Sequence, residues 1–116
     1  MRVFVYGTLL AGESNHGWLK GARYLGAWTT PPRYRLVDTG PYPVLATGGR
    51  TAVRGEVYAI DRLILDRLDV LEAYPADYGR TLIPTHWGRA WVYLRRRAPA
   101  GRPLPRGDWR RRGGRR

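Results

Sequence analysis

Two short stretches hold groups whose types and spacing could do chemistry. The first is Tyr6-Gly7-Thr8-Leu9, directly after the apolar run Val3-Phe4-Val5. Glycine has no side chain and tolerates φ values that other residues avoid, so the amides of Gly7, Thr8 and Leu9 can turn together toward a bound carboxylate or an oxygen acquiring charge. The same residues also fit a plain turn in which Thr8 caps the next turn of the chain. The second is Glu72. At about 100° per residue it lies about 40° from Leu68 and about 20° from Leu65 around a helix, at the margin of an apolar stripe of Ile64, Leu65, Leu68 and Leu71. A carboxylate there, in the last helical turn, is partly desolvated and meets the negative end of the helix dipole. Both effects raise its pKa toward the value a general base needs at neutral pH. Rotated outward, the same side chain makes an ordinary ion pair with Arg80 or Arg67. The sequence leaves both arrangements open.

Other chemistries find less support. His16 and His86 are far apart and belong to no ligand spacing, so no metal site is expected. With no cysteine there is no disulfide framework, thiolate ligand or cysteine nucleophile. Ser14 and Thr8 sit in nothing like a nucleophile elbow. Tyr6, Tyr42 and Tyr78 are candidate pocket walls that also suit a small core.

The elements that must position these groups can be read in order. Val3-Phe4-Val5 has no polar interruption and reads as a central strand buried on both faces. Ser14 is the expected cap of a short helix through His16, Trp18 and Leu19 that Gly21 stops. Ala22 to Trp28 and Tyr34 to Val37 read as adjacent strands separated by Thr29-Thr30-Pro31-Pro32. The turn cluster from Asp38 to Pro43 leads into Val44-Leu45-Ala46, and Gly48-Gly49 turns the chain again. Ala52 to Ile60 has strand composition, with Gly55 marking a bulge or a close backbone approach. Asp61 is a good N-cap for a helix from Arg62 to about Glu72, ended by Tyr74-Pro75. Tyr78 to Pro84 and Arg89 to Leu94 then form a strand pair joined near Trp87-Gly88. Many strands with few helices predict an α+β fold whose mixed or antiparallel sheet curls into a small barrel.

Bulk properties set limits on partners. The 116 residues make one domain with enough apolar and aromatic content to hold a core. No run of about 18 apolar residues occurs, so no membrane role is expected and the protein is expected to be soluble and cytoplasmic. The formal charge of +12 is uneven: residues 95 to 116 contain 10 Arg and one Asp, while residues 1 to 94 contain 11 basic and 8 acidic residues. The body is mildly basic. The expected division is a domain over residues 1–109 and a flexible Arg- and Gly-rich tail over residues 110–116, through which Arg110-Arg111-Arg112 and Arg115-Arg116 could neutralise nucleic-acid phosphates.

Together these segments resemble the γ-glutamylcyclotransferase-like family. Tyr6-Gly7-Thr8-Leu9, with Gly12 and Asn15 nearby, is similar to the family's substrate loop, and Gly40-Pro41-Tyr42-Pro43 resembles its second loop. Gly55-Glu56-Val57-Tyr58 looks like its central strand. Leu68-Asp69-Val70-Leu71-Glu72, followed by Pro75, Tyr78 and Arg80, matches the segment carrying the acidic catalyst, and Gly107-Asp108-Trp109 is similar to the closing motif. Short bacterial members and γ-glutamylamine cyclotransferases look nearest. The resemblance implies a small β-barrel with flanking helices and a γ-glutamyl substrate held by the Tyr6 to Leu9 loop, with Tyr42 and Tyr78 as walls. It further implies Glu72 as proton acceptor, cyclisation to 5-oxoproline with release of an amine, and no cofactor. The Arg-rich ending is not part of the family pattern. A non-catalytic metabolite-binding module of the same fold and nucleic-acid binding through the tail are the rival expectations.

Overall fold

The computed structural model describes residues 1–112; the expected Arg115-Arg116 contribution to the tail lies outside the described residues. Strand β1 (Arg2–Val5) is followed by a 3₁₀ turn at His16–Leu19, then β2 (Arg23–Thr29), β3 (Tyr34–Asp38), β4 (Pro43–Thr47) and β5 (Arg54–Ala59). Helix α1 (Arg62–Leu71), β6 (Gly79–Thr85), β7 (Gly88–Leu94), β8 (Arg102–Pro103) and a second 3₁₀ turn at Trp109–Arg111 come after it. No helix of the described residues is long and apolar enough to cross a membrane.

The apolar run takes the centre. β1 lies in the middle of a sheet ordered β2-β5-β1-β7-β6, antiparallel to β5 and parallel to β7. Val3, Phe4 and Val5 are all buried, as a strand covered on both faces requires. Gly55 of β5 marks a close approach: a Cβ there would fall 2.1 Å from the Val5 carbonyl oxygen and 2.6 Å from the Phe4 ring. The irregularity of register is on the neighbouring strand, between Tyr24 and Gly26 of β2.

A second sheet is ordered β4-β3-β8. The expected adjacency of β2 and β3 is therefore replaced by a change of sheet. Pro31 and Pro32, between the two strands, have no N–H to continue a ladder, and β3 instead forms an antiparallel pair with β4. The two sheets are joined by an isolated parallel bridge between Ala46 and Arg95 and are not closed into the expected small barrel. β8 is two residues long, and its Pro103 has no amide with which to extend the sheet toward closure.

Helix α1 follows its sequence signals. The Asp61 carboxylate accepts the Ile64 amide at 2.9 Å, and Ile64, Leu65 and Leu68 are buried. The helix ends at Leu71 with Glu72 as its C-cap. Beyond it, Ala73 takes a left-handed φ of 51°, the Ala73 amide donates to the Val70 carbonyl at 3.1 Å, and the Tyr74 amide donates to the Asp69 carbonyl at 2.9 Å. This is the Schellman arrangement, with alanine where glycine is usual. Ser14 does not cap the first 3₁₀ turn. Asn15 precedes that turn and makes no side-chain cap bond there, its amide group being used on Thr8.

Candidate active site

The C-terminal end of β1, the loop after it, the β3–β4 turn, the end of α1 and the start of β6 enclose a cavity of about 240 Å³. Its lining includes Tyr6, Gly7, Thr8, Leu9, Tyr42, Tyr78 and Glu72, the residues singled out from the sequence, together with Asn15, Leu71, Asp77 and Tyr93.

The loop is shaped by its own bonds. The Leu10 amide donates to the Gly7 carbonyl at 3.0 Å, the Asn15 amide to the Thr8 carbonyl at 2.8 Å, and Asn15 Nδ2 to Thr8 Oγ1 at 3.0 Å. His16 Nδ1 lies 2.9 Å from the Leu9 carbonyl oxygen. Carbonyls are thus occupied, while the amides of Gly7, Thr8 and Leu9 meet no acceptor among the described residues. Of the two properties expected of Gly7, its φ freedom is not used, since φ is not in the left-handed region, and its missing side chain is what the fold requires. A Cβ on Gly7 would sit 2.4 Å from Pro43 Cγ and 2.7 Å from Pro43 Cδ.

Glu72 enters the cavity from the C-cap of α1. Neither expected outward partner meets it. Arg80 grips Asp69 through Nε at 2.9 Å and Nη2 at 3.2 Å, and Arg67 Nη2 donates to the Lys20 carbonyl at 2.7 Å. Burial raises the Glu72 pKa to about 7, the nearby Asp77 carboxylate adds to the rise, and Arg95 opposes it. Asp77 is itself tied to Arg95 at 2.8 Å, and the Arg95 guanidinium lies 4.7 Å above the Tyr78 ring centre.

The tyrosines divide by role. The Tyr6 hydroxyl donates to the Tyr93 carbonyl at 2.7 Å and accepts from the Leu45 amide at 3.4 Å, so its ring forms a wall and its hydroxyl is spent on the scaffold. Tyr78 donates to the Pro43 carbonyl at 3.3 Å, anchoring the turn that carries Tyr42. Burial pushes the Tyr6, Tyr78 and Tyr93 phenols well above their ordinary range, so they remain neutral donors. Asp77, Tyr93 and Arg95 are not among the residues the sequence points to. Each lies in an unremarkable turn or strand, and only the packing of β6 and β7 against the end of α1 brings them to Glu72.

A β-rich α+β scaffold thus brings the loop after its central strand and an acidic side chain at the end of helix α1 to one cavity. The sequence profile described as gamma-glutamyl cyclotransferase, AIG2-like, matches residues 3–111, and the chain belongs to this family. A relative from Vibrio cholerae serotype O1 is 49% identical over 92 residues, spanning 79% of each chain. The gamma-glutamylcyclotransferase family protein YtfP of Escherichia coli K12 is 41% identical over 110 residues, 94% of this chain and 96% of its own. Among solved structures, the uncharacterized protein PH0828 from Pyrococcus horikoshii superposes with a TM-score of 0.82 at 29% identity, covering 94% of this chain and 89% of its own. An AIG2-like protein from Mus musculus gives 0.73 at 30% identity, covering 80% and 75%.

Proposed function

We propose that this chain is a γ-glutamylcyclotransferase that converts a γ-glutamyl amine or peptide into 5-oxoproline and a free amine. The observation that carries the proposal is a largely buried carboxyl group, its pKa raised by that burial, in the same cavity as three backbone amides that meet no acceptor among the described residues. The substrate's α-amine attacks its own γ-carbonyl carbon, so the new C–N bond closes a five-membered ring and the old amide C–N bond breaks. For this the α-ammonium must lose a proton. Glu72 takes it and returns it to the departing nitrogen, a role worth roughly 10² to 10⁴ in rate, and the second proton that the attacking nitrogen sheds as it becomes the ring amide leaves with the released amine as its ammonium. The amides of Gly7, Thr8 and Leu9 hold the substrate carboxylate or the oxygen that acquires charge at the reacting carbon, and the cavity walls fold the glutamyl chain toward its cyclic form. Atoms and charge balance without a cofactor.

The rival nucleic-acid reading rests on the arginines near the end of the sequence. Arg110 and Arg112 are engaged with Glu56 and Glu13, and Arg111 lies 3.9 Å from Asp108. A panel of γ-glutamyl amines, amino acids and peptides, assayed for 5-oxoproline release, tests the proposal. Release from at least one substrate supports catalysis, and measurable binding without release from any of them replaces it with a binding module.

A further inference from the structure

A buried carboxylate behind the donor loop has no part in the chemistry above. Glu56, on β5, is 8% exposed. Its Oε1 accepts the Ala11 amide at 2.9 Å and the Tyr58 hydroxyl at 3.0 Å, and its Oε2 accepts Arg110 Nη2 at 3.2 Å. The same Arg110 nitrogen donates to the Ala11 carbonyl at 2.5 Å. One residue earlier, Trp109 is 1% exposed and its Nε1 donates to Glu13 Oε1 at 3.1 Å. Arg112 stacks 3.9 Å above the Trp109 ring centre and lies 3.7 Å from the Glu13 carboxylate. The C-terminal turn thus grips the loop at Ala11 and at Glu13, and grips both through charge-assisted bonds.

From this geometry we infer that Trp109 and Arg110 are positioning residues for the donor loop, holding the Gly7, Thr8 and Leu9 amides in their binding orientation through Glu56 and Glu13. The loop's inner bonds run from Glu13 to the Leu10 carbonyl at 2.9 Å and from Leu10 to the Gly7 carbonyl at 3.0 Å, so the contacts that fix Ala11 and Glu13 also fix Gly7. Amides without internal acceptors keep a fixed direction only if the segment carrying them is held at its ends, and a loop ordered before binding loses less entropy on binding. Glu56 needs Arg110 in turn. Without it a buried carboxylate keeps only neutral donors. The expected boundary after residue 109 falls inside this contact, and residues 109–112 count as part of the site's support.

The inference uses the cyclotransferase reading only for its kinetic arm, so the experiment has two. In the first, hydrogen exchange of the Leu10, Ala11 and Glu13 amides is followed by NMR on the full chain, with the β7 amides of Val92 and Tyr93 as reference. Arg110→Ala should accelerate the loop amides about tenfold or more and the reference amides less than about threefold. Arg110→Lys, which keeps the charge, should recover at least half of that loss on a logarithmic scale. In the second arm, Arg110→Ala should raise KM about tenfold with kcat within about threefold, the pattern of lost ground-state binding. If Arg110→Ala does not fold, Trp109→Phe removes the donor to Glu13 while keeping an aromatic ring, and should show the same loop-selective exchange. Loop exchange unchanged from wild type, or β7 amides accelerated equally, overturns the inference. A wild-type chain that releases no 5-oxoproline overturns the cyclotransferase reading alone, and the exchange arm still decides this one.

Discussion

The Tyr93 hydroxyl donates to Asp69 Oδ1 at 2.6 Å, tying β7 to helix α1 three residues before Glu72. Asp69 also receives both Arg80 nitrogens, and the Arg80 guanidinium lies between the Tyr74 and Trp91 rings, 4.3 Å from each centre. Its backbone carbonyl accepts the Tyr74 amide that closes the helix. Side chain and main chain of one aspartate therefore set where Glu72 stands. Asp69→Asn leaves a mostly buried guanidinium without its charge partner and should cost about 2–4 kcal/mol in urea unfolding. Tyr93→Phe removes a single charge-assisted bond and should cost about 1.5–3 kcal/mol. Equal midpoints for Asp69→Asn and wild type would dismiss this brace.

Glu72→Gln preserves size and hydrogen-bonding capacity but removes the base. The fold should persist while kcat falls roughly 10² to 10⁴, with KM changed little. Retention of more than half of wild-type turnover on the best substrate would remove Glu72 from the mechanism.

The pH profile should carry an acidic limb near pH 7, the pKa to which burial and Asp77 lift Glu72. Asp77→Asn removes a like charge and frees Arg95 from its partner. Both changes favour the Glu72 carboxylate, so the limb should move to lower pH. Stability follows the same proton. Because the folded pKa lies above the ordinary carboxylate value of 4.5, the folded chain holds this proton more tightly. Its contribution is fully present below pH 4.5 and is lost as pH rises through about 7. Denaturant midpoints measured across that window should decline more steeply for wild type than for Glu72→Gln, and parallel curves would contradict the assignment.

Gly7→Ala places a methyl group where Pro43 already sits. The loop or the β3–β4 turn has to move, and either movement displaces the three amides. A loss of about tenfold or more in kcat/KM with a folded protein is expected, measured by steady-state kinetics and circular dichroism. Normal kinetics would show that these amides do not hold the substrate.

Ala73→Gly should add about 0.5–1 kcal/mol of stability, since glycine takes the left-handed conformation of the helix C-terminus without the Cβ cost. Thermal unfolding monitors it directly.

Local signals make part of this arrangement legible from sequence. Asp61, the Ile64, Leu65 and Leu68 stripe and the turn at Tyr74 locate α1 to within a residue, and the helical angle of Glu72 places it at the inward margin. The both-face burial of Val3 to Val5 follows from unbroken apolar composition. Sheet membership does not. Pairing β2 with β5 rather than β3 depends on contacts some thirty residues apart in the chain, to which composition is blind. The same holds for Asp77, Tyr93 and Arg95 around Glu72. The expected boundary after residue 109 follows the change to an Arg- and Gly-rich composition with no apolar residue left to bury, and composition does not show which acceptor an arginine meets. Glu56, a carboxylate buried inside an apolar strand, is the group that draws Arg110 back to the body. Gly7 stands out in the sequence for its backbone freedom and its missing side chain, but the neighbour that a side chain there would meet, Pro43, lies across the cavity and is visible only in the fold.

The placement of β1 between β5 and β7 also governs how the protein is made. The first strand to leave the ribosome has no backbone partner until residues 54–59 follow it, and its second flank stays bare until residues 88–94 emerge. At about 5–20 residues per second, the Val3-Phe4-Val5 segment waits several seconds with an unpaired edge and an apolar surface on each side. Its pairings span most of the chain, which places folding in the slow, non-local regime of roughly milliseconds to seconds after release. The late, non-local pairing of β1 therefore makes synthesis, more than the finished fold, the stage at which its edges and apolar faces are uncovered.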